Sequence, residues 1–344
     1  MSDLKTKLYQ MFILGTEGDG YIKALERGLG GIIFFTKDIQ TPEQFKNLIL
    51  KIKSIAAIPP FLSIDQEGGR VERSENIHNG KKYLSAKYAF EKGEDFLKKQ
   101  TKEIAQELKS YGINLNFAPC IDVNTNPNNP IIGERAFSNN PDEVIKGETI
   151  VSQTYRENGI IPCVKHFPGH GDANADSHLT LPEINLSLKE MERTHIKPFA
   201  ACAKTIEMVM VAHLHCTCFE KEVIPTSLSK NAISYLRNKL GFDGVIISDD
   251  MIMKGVTNAA LQKNASQTLQ AQCDSLEHKI NACEMGIRAG LNMFIYRNST
   301  LEIIEMIETI AKKALTDKEL QEKIEYSFEK ITKLKSNPQY QIIT

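Results

Sequence analysis

The sequence of 344 residues contains no tryptophan, no long hydrophobic run and no marked excess of charge of either sign. The missing tryptophan counts mildly against a sugar site built on stacked indole rings, without excluding other sugar sites. No run approaches the roughly 18 apolar residues that a membrane-spanning helix needs. The apolar residues 11–14 are too few for a signal peptide, and no small-residue cleavage site follows them. The sequence therefore predicts a cytoplasmic protein that does not contact membranes.

The 42 basic and 43 acidic residues nearly cancel, which leaves a formal net charge of -1. A protein whose main partner is nucleic acid needs a strongly basic surface. We therefore expect no nucleic-acid partner. With 41% hydrophobic and 25% charged residues, the chain has the composition of an ordinary globular protein with a large core.

The seven cysteines are an odd number and lie mostly among apolar neighbours, as Cys120, Cys163 and Cys202 do. This distribution indicates reduced core thiols and not a disulfide framework. The closely spaced Cys216-Thr-Cys218 has no second cysteine pair nearby, which argues against a zinc knuckle.

Eight short apolar runs alternate with polar loops and with stretches of helical periodicity, which is the pattern of parallel βα units. The spacing predicts helices near 42–57, 94–111, 142–158, 187–204, 229–239 and 278–289, and a final one at about 300–335. A Gln/Asn/Ala-rich stretch, 256–280, also has the spacing of an amphipathic helix. The predicted strands are 9–14, 31–35, 60–64, 113–118, 160–165, 208–213, 244–248 and 291–296. We expect a single-domain (β/α)8 barrel over residues 1–344, with a doubly wound open sheet as the alternative.

Charged and polar residues follow several of these strands at their carboxyl ends, where the active sites of barrel enzymes are built. Asp65 follows the third strand, and a long loop with Asp122 and Arg135 follows the fourth. Lys165 and His166 end the fifth strand. The later strands contribute His213, Asp249 and Asp250. These positions predict a common site at one mouth of the barrel.

The most concentrated group of ionisable residues lies in the stretch Lys165-His-Phe-Pro-Gly-His-Gly-Asp172, continued by Asp176-Ser-His178. In an extended segment, residues two apart project to the same side, so Asp176 can orient the imidazole of His178. A neighbouring carboxylate stabilises the imidazolium and raises its pKa from about 6.5. This pair therefore predicts a general acid that is still protonated near neutral pH.

Two further blocks carry carboxylates at strand ends. In Asp65-Gln-Glu-Gly-Gly-Arg-Val-Glu-Arg73, the paired glycines permit backbone conformations that turn acids and arginines toward a common point. The strand that ends in Ser248-Asp249-Asp250 delivers two adjacent carboxylates that point in opposite directions, so only one faces the barrel axis. We expect the other to anchor a loop. A carboxylate at the axis with a separate proton donor is the arrangement for displacement at an acetal carbon.

Taken together, these blocks resemble those of the glycoside hydrolase family 3 β-N-acetylhexosaminidases, in particular the short bacterial cytosolic enzymes of peptidoglycan recycling. The most specific block is the stretch from Lys165 to Asp172 with its Asp-Ser-His ending. The other matching blocks are Asp65-Gln-Glu-Gly-Gly-Arg-Val-Glu-Arg73, Asn116-Phe-Ala-Pro-Cys-Ile-Asp-Val123, Gly133-Glu-Arg-Ala-Phe137 and Gly244-Val-Ile-Ile-Ser-Asp-Asp-Met251. They occur in the order of the family and span most of the predicted barrel.

The resemblance implies a retaining exo-β-N-acetylglucosaminidase that forms a covalent glycosyl-enzyme and needs no metal or other cofactor. Its expected substrate is GlcNAc-anhydro-MurNAc with or without peptide, and we expect a monomer. The resemblance further implies that Asp249 is the nucleophile, that His178 is the general acid and base, and that Asp176 orients it. The residues implied to bind the GlcNAc ring are Asp65, Arg73, Arg135, Lys165 and His166.

Three alternatives remain open from the sequence. Chito-oligosaccharides are the second substrate class, and phosphate could replace water as acceptor because a histidine acid/base does not repel the anion. The more distant alternative is a metal-dependent barrel hydrolase whose ligands would be His166, His170, Asp172, His213 and His215. The sequence also departs from the family pattern, which usually has Gln in place of Glu72 and Asp in place of Asn292.

Overall fold

The structure, a computed structural model, describes residues 3–173, 181–253 and 275–340. Eight parallel strands close into a barrel in which each strand pairs with its neighbours in sequence and β8 pairs with β1. The strands are β1 (Phe12–Glu17), β2 (Gly31–Phe34), β3 (Phe61–Ile64), β4 (Leu115–Asn116), β5 (Ile161–Phe167), β6 (Met208–Val211), β7 (Val245–Asp250) and β8 (Met293–Asn298). The predicted (β/α)8 barrel is confirmed, and the open-sheet alternative is wrong because the sheet closes.

Helices surround the barrel, and several begin where the sequence supplies a capping side chain. Thr41 accepts a hydrogen bond from the Gln44 N–H at the start of α3, and Asn140 accepts one from the Asp142 N–H at the start of α6. The described helices are α1 (Leu4–Tyr9), α2 (Gly20–Glu26), α3 (Pro42–Ile55), α4 (Ala86–Glu91), α5 (Glu94–Ser110), α6 (Pro141–Glu157), α7 (Leu188–Arg193), α8 (Lys197–Cys202), α9 (Lys230–Ser234), α10 (Leu276–Ala289), α11 (Leu301–Ala314) and α12 (Lys318–Lys335).

The predicted helix at about 300–335 is wrong as a single helix, because the chain forms α11 and α12 with a break between them. The Asp317 carboxylate caps α12 by accepting the Leu320 N–H at 3.0 Å, and this cap starts a new helix. The predicted helix 187–204 is likewise two short helices. Most of the predicted stretch 256–280 lies outside the described residues, and α10 begins at its end.

The core lies inside the barrel and between the strands and the outer helices. Strands β2 and β3 are buried over their whole length, which is why they read as continuous apolar runs in the sequence. A smaller parallel ribbon pairs Glu183–Ile184 with His215–Cys216 beside the barrel. Across the described ranges, no helix is both long and apolar enough to cross a membrane.

Candidate active site

A cavity of about 430 Å³ opens at the carboxyl ends of the barrel strands. Concave sites for small molecules commonly have volumes of roughly 300–1,000 Å³. Side chains from β5, from β7 and from the loops after β3 and β4 meet in this cavity. The lining includes six of the residues proposed from the sequence: Asp65, Arg73, Arg135, Lys165, His166 and Asp249. The structure therefore confirms that these six residues lie together.

Lys165 lies at the centre of a buried ion network, and its side chain is only 2% exposed. Its ammonium donates to Asp65 Oδ1 at 2.6 Å and lies 2.5 Å from Glu67 Oε1. Glu67 also accepts two hydrogen bonds from the Arg135 guanidinium, from Nε at 2.9 Å and from Nη2 at 2.8 Å. Two cations therefore face two carboxylates, and the network holds the side chains of three separate loops and strands in fixed positions.

The network keeps Lys165 and Glu67 charged. Burial alone would lower the pKa of Lys165, but the charges of Asp65 and Glu67 outweigh it and raise that pKa. Burial would raise the pKa of Glu67, but Arg135 and Lys165 outweigh it and hold that pKa well below its usual range. Groups of fixed charge and position are suited to bind the hydroxyl and carbonyl groups of a polar ligand.

His166 is oriented by a buried carboxylate on the loop after β4. Its Nδ1 lies 2.7 Å from Asp122 Oδ2, and the other oxygen of Asp122 accepts the His170 N–H at 2.6 Å. Burial would raise the pKa of Asp122, but His166 outweighs it and lowers that pKa. The Nε2 side of the His166 ring faces the cavity, 3.4 Å from Arg135 Nη2. Asp122 therefore positions the His166 ring for a ligand.

Asp249 and Asp250 have different surroundings at the end of β7. Burial would raise the pKa of Asp249, but the imidazoles of His166 and His213 and the Asp250 N–H lower it. Asp250 accepts hydrogen bonds from the Ile252 and Arg297 N–H groups, each at 3.2 Å, and burial raises its pKa to about 6. Asp249 is thus an ionised carboxylate at the cavity, and Asp250, which also lines the cavity, anchors the loop as expected.

The two glycines after Glu67 have backbone conformations that favour glycine, with φ of 91° at Gly68 and 61° at Gly69. A Cβ at Gly68 would lie 2.3 Å from the carbonyl oxygen of Leu84, and one at Gly69 would lie 2.6 Å from the Ser85 Cβ. The turn therefore packs closely against the following loop. Asp65, before the turn, and Arg73, after it, both line the cavity.

Arg73 lies beside the ring of Phe35, with its guanidinium carbon 5.9 Å from the ring centroid. The preceding Glu72 turns toward His78, and their atoms lie 2.7 Å apart. On its other side, His78 Nδ1 lies 2.7 Å from Glu107 Oε1. The extra negative charge that distinguishes this sequence at Glu72 is therefore paired with a histidine.

We expect the His78 charge to make the free energy of unfolding depend on pH. Burial alone would lower the pKa of His78, but Glu107 and Glu72 outweigh it and raise that pKa to about 9, from an ordinary 6.5. The ring of Tyr83, which packs edge-on against His78, adds no charge at neutral pH. The stabilisation is complete below pH 6.5 and is lost as the pH rises toward 9. Urea unfolding at several pH values measures this loss.

Two variants distinguish the titration of His78 from that of other ionisable groups. His78→Gln should be less stable than wild type at neutral pH, and the difference should shrink as the pH rises through 9. Glu72→Gln removes one of the two carboxylates and should move the loss to lower pH. A difference between wild type and His78→Gln that stays constant across this range would contradict the assignment.

Sequence reasoning missed Glu67 as a functional residue, and it placed Asp122 at the barrel mouth without assigning it a role. Glu67 lies two residues after Asp65, so their common side could have been inferred from the period of an extended chain. No signal in the sequence shows that Asp122 turns inward to His166. Asp176 and His178 lie outside the described residues.

The ligand set of the proposed metal-dependent alternative is dispersed. His213 Nδ1 pairs with the Ser227 hydroxyl at 2.7 Å, and His215 belongs to the ribbon beside the barrel. Among the residues that the structure describes, the one group with the spacing of a metal site is Cys120, Asp122 and His166. Burial raises the pKa of the Cys120 thiol well above its usual value, and both Asp122 oxygens already have partners. This group does not fit a resident cation.

The glycosyl hydrolase family 3 N-terminal domain matches residues 4–334. A β-hexosaminidase A from Pseudoalteromonas piscicida is 31% identical over 331 residues, which are 90% of this chain and 53% of that protein. A β-hexosaminidase from Idiomarina loihiensis is 32% identical over 272 residues, which are 77% of this chain and 81% of that protein.

Among solved structures, a glycoside hydrolase family 3 β-N-acetylglucosaminidase from Paenibacillus sp. superposes with a TM-score of 0.85 at 29% identity. The match covers 99% of this chain and 63% of that chain. This chain therefore spans about half the length of the Pseudoalteromonas relative and less than two thirds of the Paenibacillus protein.

Proposed function

The chain belongs to glycosyl hydrolase family 3, and from this premise we propose that it is a retaining exo-β-N-acetylglucosaminidase. The observation that carries the proposal is the cavity in which an ionised Asp249 faces the charged network of Lys165, Arg135 and Asp65. The names of the relatives, β-hexosaminidase and β-N-acetylglucosaminidase, support the same substrate class.

In the proposed mechanism, an Asp249 carboxylate oxygen attacks the anomeric carbon of the terminal GlcNAc as the glycosidic C–O bond breaks. The imidazolium of His178 gives its proton to the departing oxygen, and Asp176 orients the ring. Water then attacks the anomeric carbon of the glycosyl-enzyme, releases the Asp249 carboxylate and returns a proton to His178. Two displacements at the same carbon retain the β configuration.

The proposed binding residues offer the sugar both hydrogen-bond acceptors and hydrogen-bond donors. Asp65 is partly exposed to the cavity, so its carboxylate can accept hydrogen bonds from ring hydroxyls. Lys165, Arg135 and Arg73 supply donors. The His166 ring, held by Asp122, has one nitrogen for the ligand. The proposed proton donor, His178, is a histidine, whereas most retaining glycosidases use a carboxylic acid. After it gives up its proton, the imidazole is neutral, whereas a carboxylate would be negatively charged.

We further propose that the natural substrate is GlcNAc-anhydro-MurNAc, with or without peptide, and that the enzyme acts in the cytoplasm. Mass spectrometry of the products from purified muropeptides tests this. Free GlcNAc and anhydro-MurNAc are expected as products. Turnover of chito-oligosaccharides with none of the muropeptides would overturn the substrate, and GlcNAc 1-phosphate formed in phosphate buffer would identify phosphate as acceptor.

His178→Ala is expected to slow substrates with poor leaving groups far more than activated ones. General acid catalysis contributes roughly 10²–10⁴-fold when the leaving oxygen needs a proton, and much less for a nitrophenolate that leaves without one. Comparison of kcat/KM for aryl β-GlcNAc substrates of rising leaving-group pKa measures the difference. Equal losses across the series would argue against His178 as the acid.

A further inference from the structure

Cys216 and Cys218 bring their sulfur atoms within 3.3 Å of each other beside the barrel. Cys216 ends the ribbon strand that pairs with Ile184, and the chain turns immediately after it. The Cys216 carbonyl accepts the Phe219 N–H at 3.0 Å and the Glu220 N–H at 3.2 Å. This turn folds Cys218 back over Cys216, whereas in a straight strand the two residues would lie further apart.

The two thiols differ in exposure. Cys216 is buried in a small apolar cluster that includes Ile184, Met191 and Leu214. Cys218 is partly exposed, and every other cysteine in the part of the chain that the structure describes is buried. An oxidant from solution can therefore reach Cys218, whereas Cys216 is accessible chiefly to its neighbouring sulfur.

The contact between the thiols also favours Cys218 as the nucleophile. A hydrogen bond from the Cys216 thiol lowers the pKa of Cys218, against burial, which would raise it. The same contact and burial raise the pKa of Cys216. The thiolate is the reactive form of cysteine, so reaction begins at the accessible sulfur.

We propose that Cys216 and Cys218 form a reversible intramolecular disulfide when a peroxide oxidises Cys218. The Cys218 thiolate attacks one peroxide oxygen, the O–O bond breaks and hydroxide leaves, which converts Cys218 to a sulfenic acid. The Cys216 sulfur then attacks the Cys218 sulfur, the S–O bond breaks, and water leaves with the proton of Cys216. In sum, two thiols and one hydrogen peroxide give one disulfide and two waters.

Little movement is needed for the second step. The sulfurs approach from 3.3 Å to a bond length of about 2.05 Å, and the partly exposed turn after Cys216 can supply that shift. Cys216 acts as the resolving thiol and protects Cys218 from irreversible oxidation to the sulfinic acid. The thiol pair is therefore a redox-modification site outside the sugar-binding cavity.

The test treats the purified full chain with hydrogen peroxide, denatures and alkylates it, and examines tryptic peptides by mass spectrometry. Cleavage after Lys204 and Lys221 places both cysteines, and no other, in peptide 205–221. The expected peptide is unalkylated, lighter by two hydrogen atoms, and converted to the doubly alkylated form by prior dithiothreitol. Its oxidation should be on the order of ten-fold faster than that of Cys120, Cys163 or Cys202.

Two variants test whether Cys216 reacts with the sulfenic acid of Cys218 to form the disulfide. Cys216→Ser should leave Cys218 to accumulate as sulfinic acid, and Cys218→Ser should leave Cys216 as an unreacted thiol. A wild-type Cys218 that ends as sulfinic acid, with no disulfide to Cys216, would overturn the proposal. So would a wild-type peptide that stays reduced while the buried cysteines oxidise, and neither of these results depends on a variant folding.

Discussion

Asp249→Ala is expected to abolish turnover of an aryl β-GlcNAc, with kcat falling by a factor on the order of 10⁴ or more. The carboxylate lies at the end of β7, faces the cavity and has a lowered pKa, so it is ionised and ready to attack at neutral pH. Without it, the first displacement has no nucleophile on the protein. Steady-state kinetics on the purified variant measure the loss.

A small anion provides a positive test of the same assignment. In Asp249→Ala, azide can occupy the space that the carboxylate leaves and attack the anomeric carbon from the same face. Because this is a single displacement, the product is the α-glycosyl azide, which nuclear magnetic resonance distinguishes from the β product. Rescue that yields the β azide would contradict Asp249 as the nucleophile.

Asp250→Asn is the matched control, because it alters the adjacent carboxylate in the same strand. Asp250 receives the Ile252 and Arg297 N–H groups, and the amide oxygen of asparagine can still accept them. We expect this variant to keep most of its turnover and to unfold at a urea concentration no lower than that of the wild type, because burial already disfavours the Asp250 charge. Equal loss of turnover in both variants would mean that the end of β7 acts through its shape and not through one carboxylate.

Most of the barrel could be predicted from the sequence because both faces of its strands are buried. A strand such as β2 then reads as an unbroken apolar run, and the polar residue that follows marks its carboxyl end. The same logic failed for α11 and α12, since both have apolar faces with helical spacing. Only the cap at Asp317, a local hydrogen bond, separates them.

The sequence predicted where the candidate site lies, but it predicted only some of the contacts between the side chains of the site. Strand ends predicted that Asp65, Lys165 and Asp249 would meet, because parallel strands in a barrel end at the same mouth. The sequence analysis assigned Arg135 no partner within the protein, whereas the structure pairs it with Glu67. Which partner a long side chain selects depends on the folded path of the loops, and this information is not local.

Lys165→Met is the second variant with a large expected effect, and it should lower both stability and sugar binding. In the wild-type network, Lys165 pairs with Asp65 and with Glu67, and Arg135 pairs with Glu67. Removing the ammonium leaves one negative charge unpaired in a buried site. Breaking a buried ion pair in this way costs about 3–5 kcal/mol in the free energy of unfolding, which urea titration measures.

Adding Glu67→Gln to Lys165→Met distinguishes two causes of the stability loss, the unpaired carboxylate charge and the lost packing of the lysine side chain. The double variant keeps one cation, Arg135, and one carboxylate, Asp65, so it should be more stable than Lys165→Met alone. Lowering the pH should also remove the negative charge of Glu67. In the wild type, the depressed pKa of Glu67 supplies stability at neutral pH that is lost as the carboxylate becomes protonated in acid.

In Lys165→Met, Glu67 has lost one of the two cations that keep its pKa low, so its protonation in acid costs less than in the wild type. The stability difference between the two proteins should therefore narrow as the pH falls below 4.5, the ordinary pKa of a glutamate carboxyl. A deficit that neither acid nor Glu67→Gln reduces would mean that Lys165 stabilises the barrel through its alkyl chain. Its ammonium would then act on the bound sugar alone.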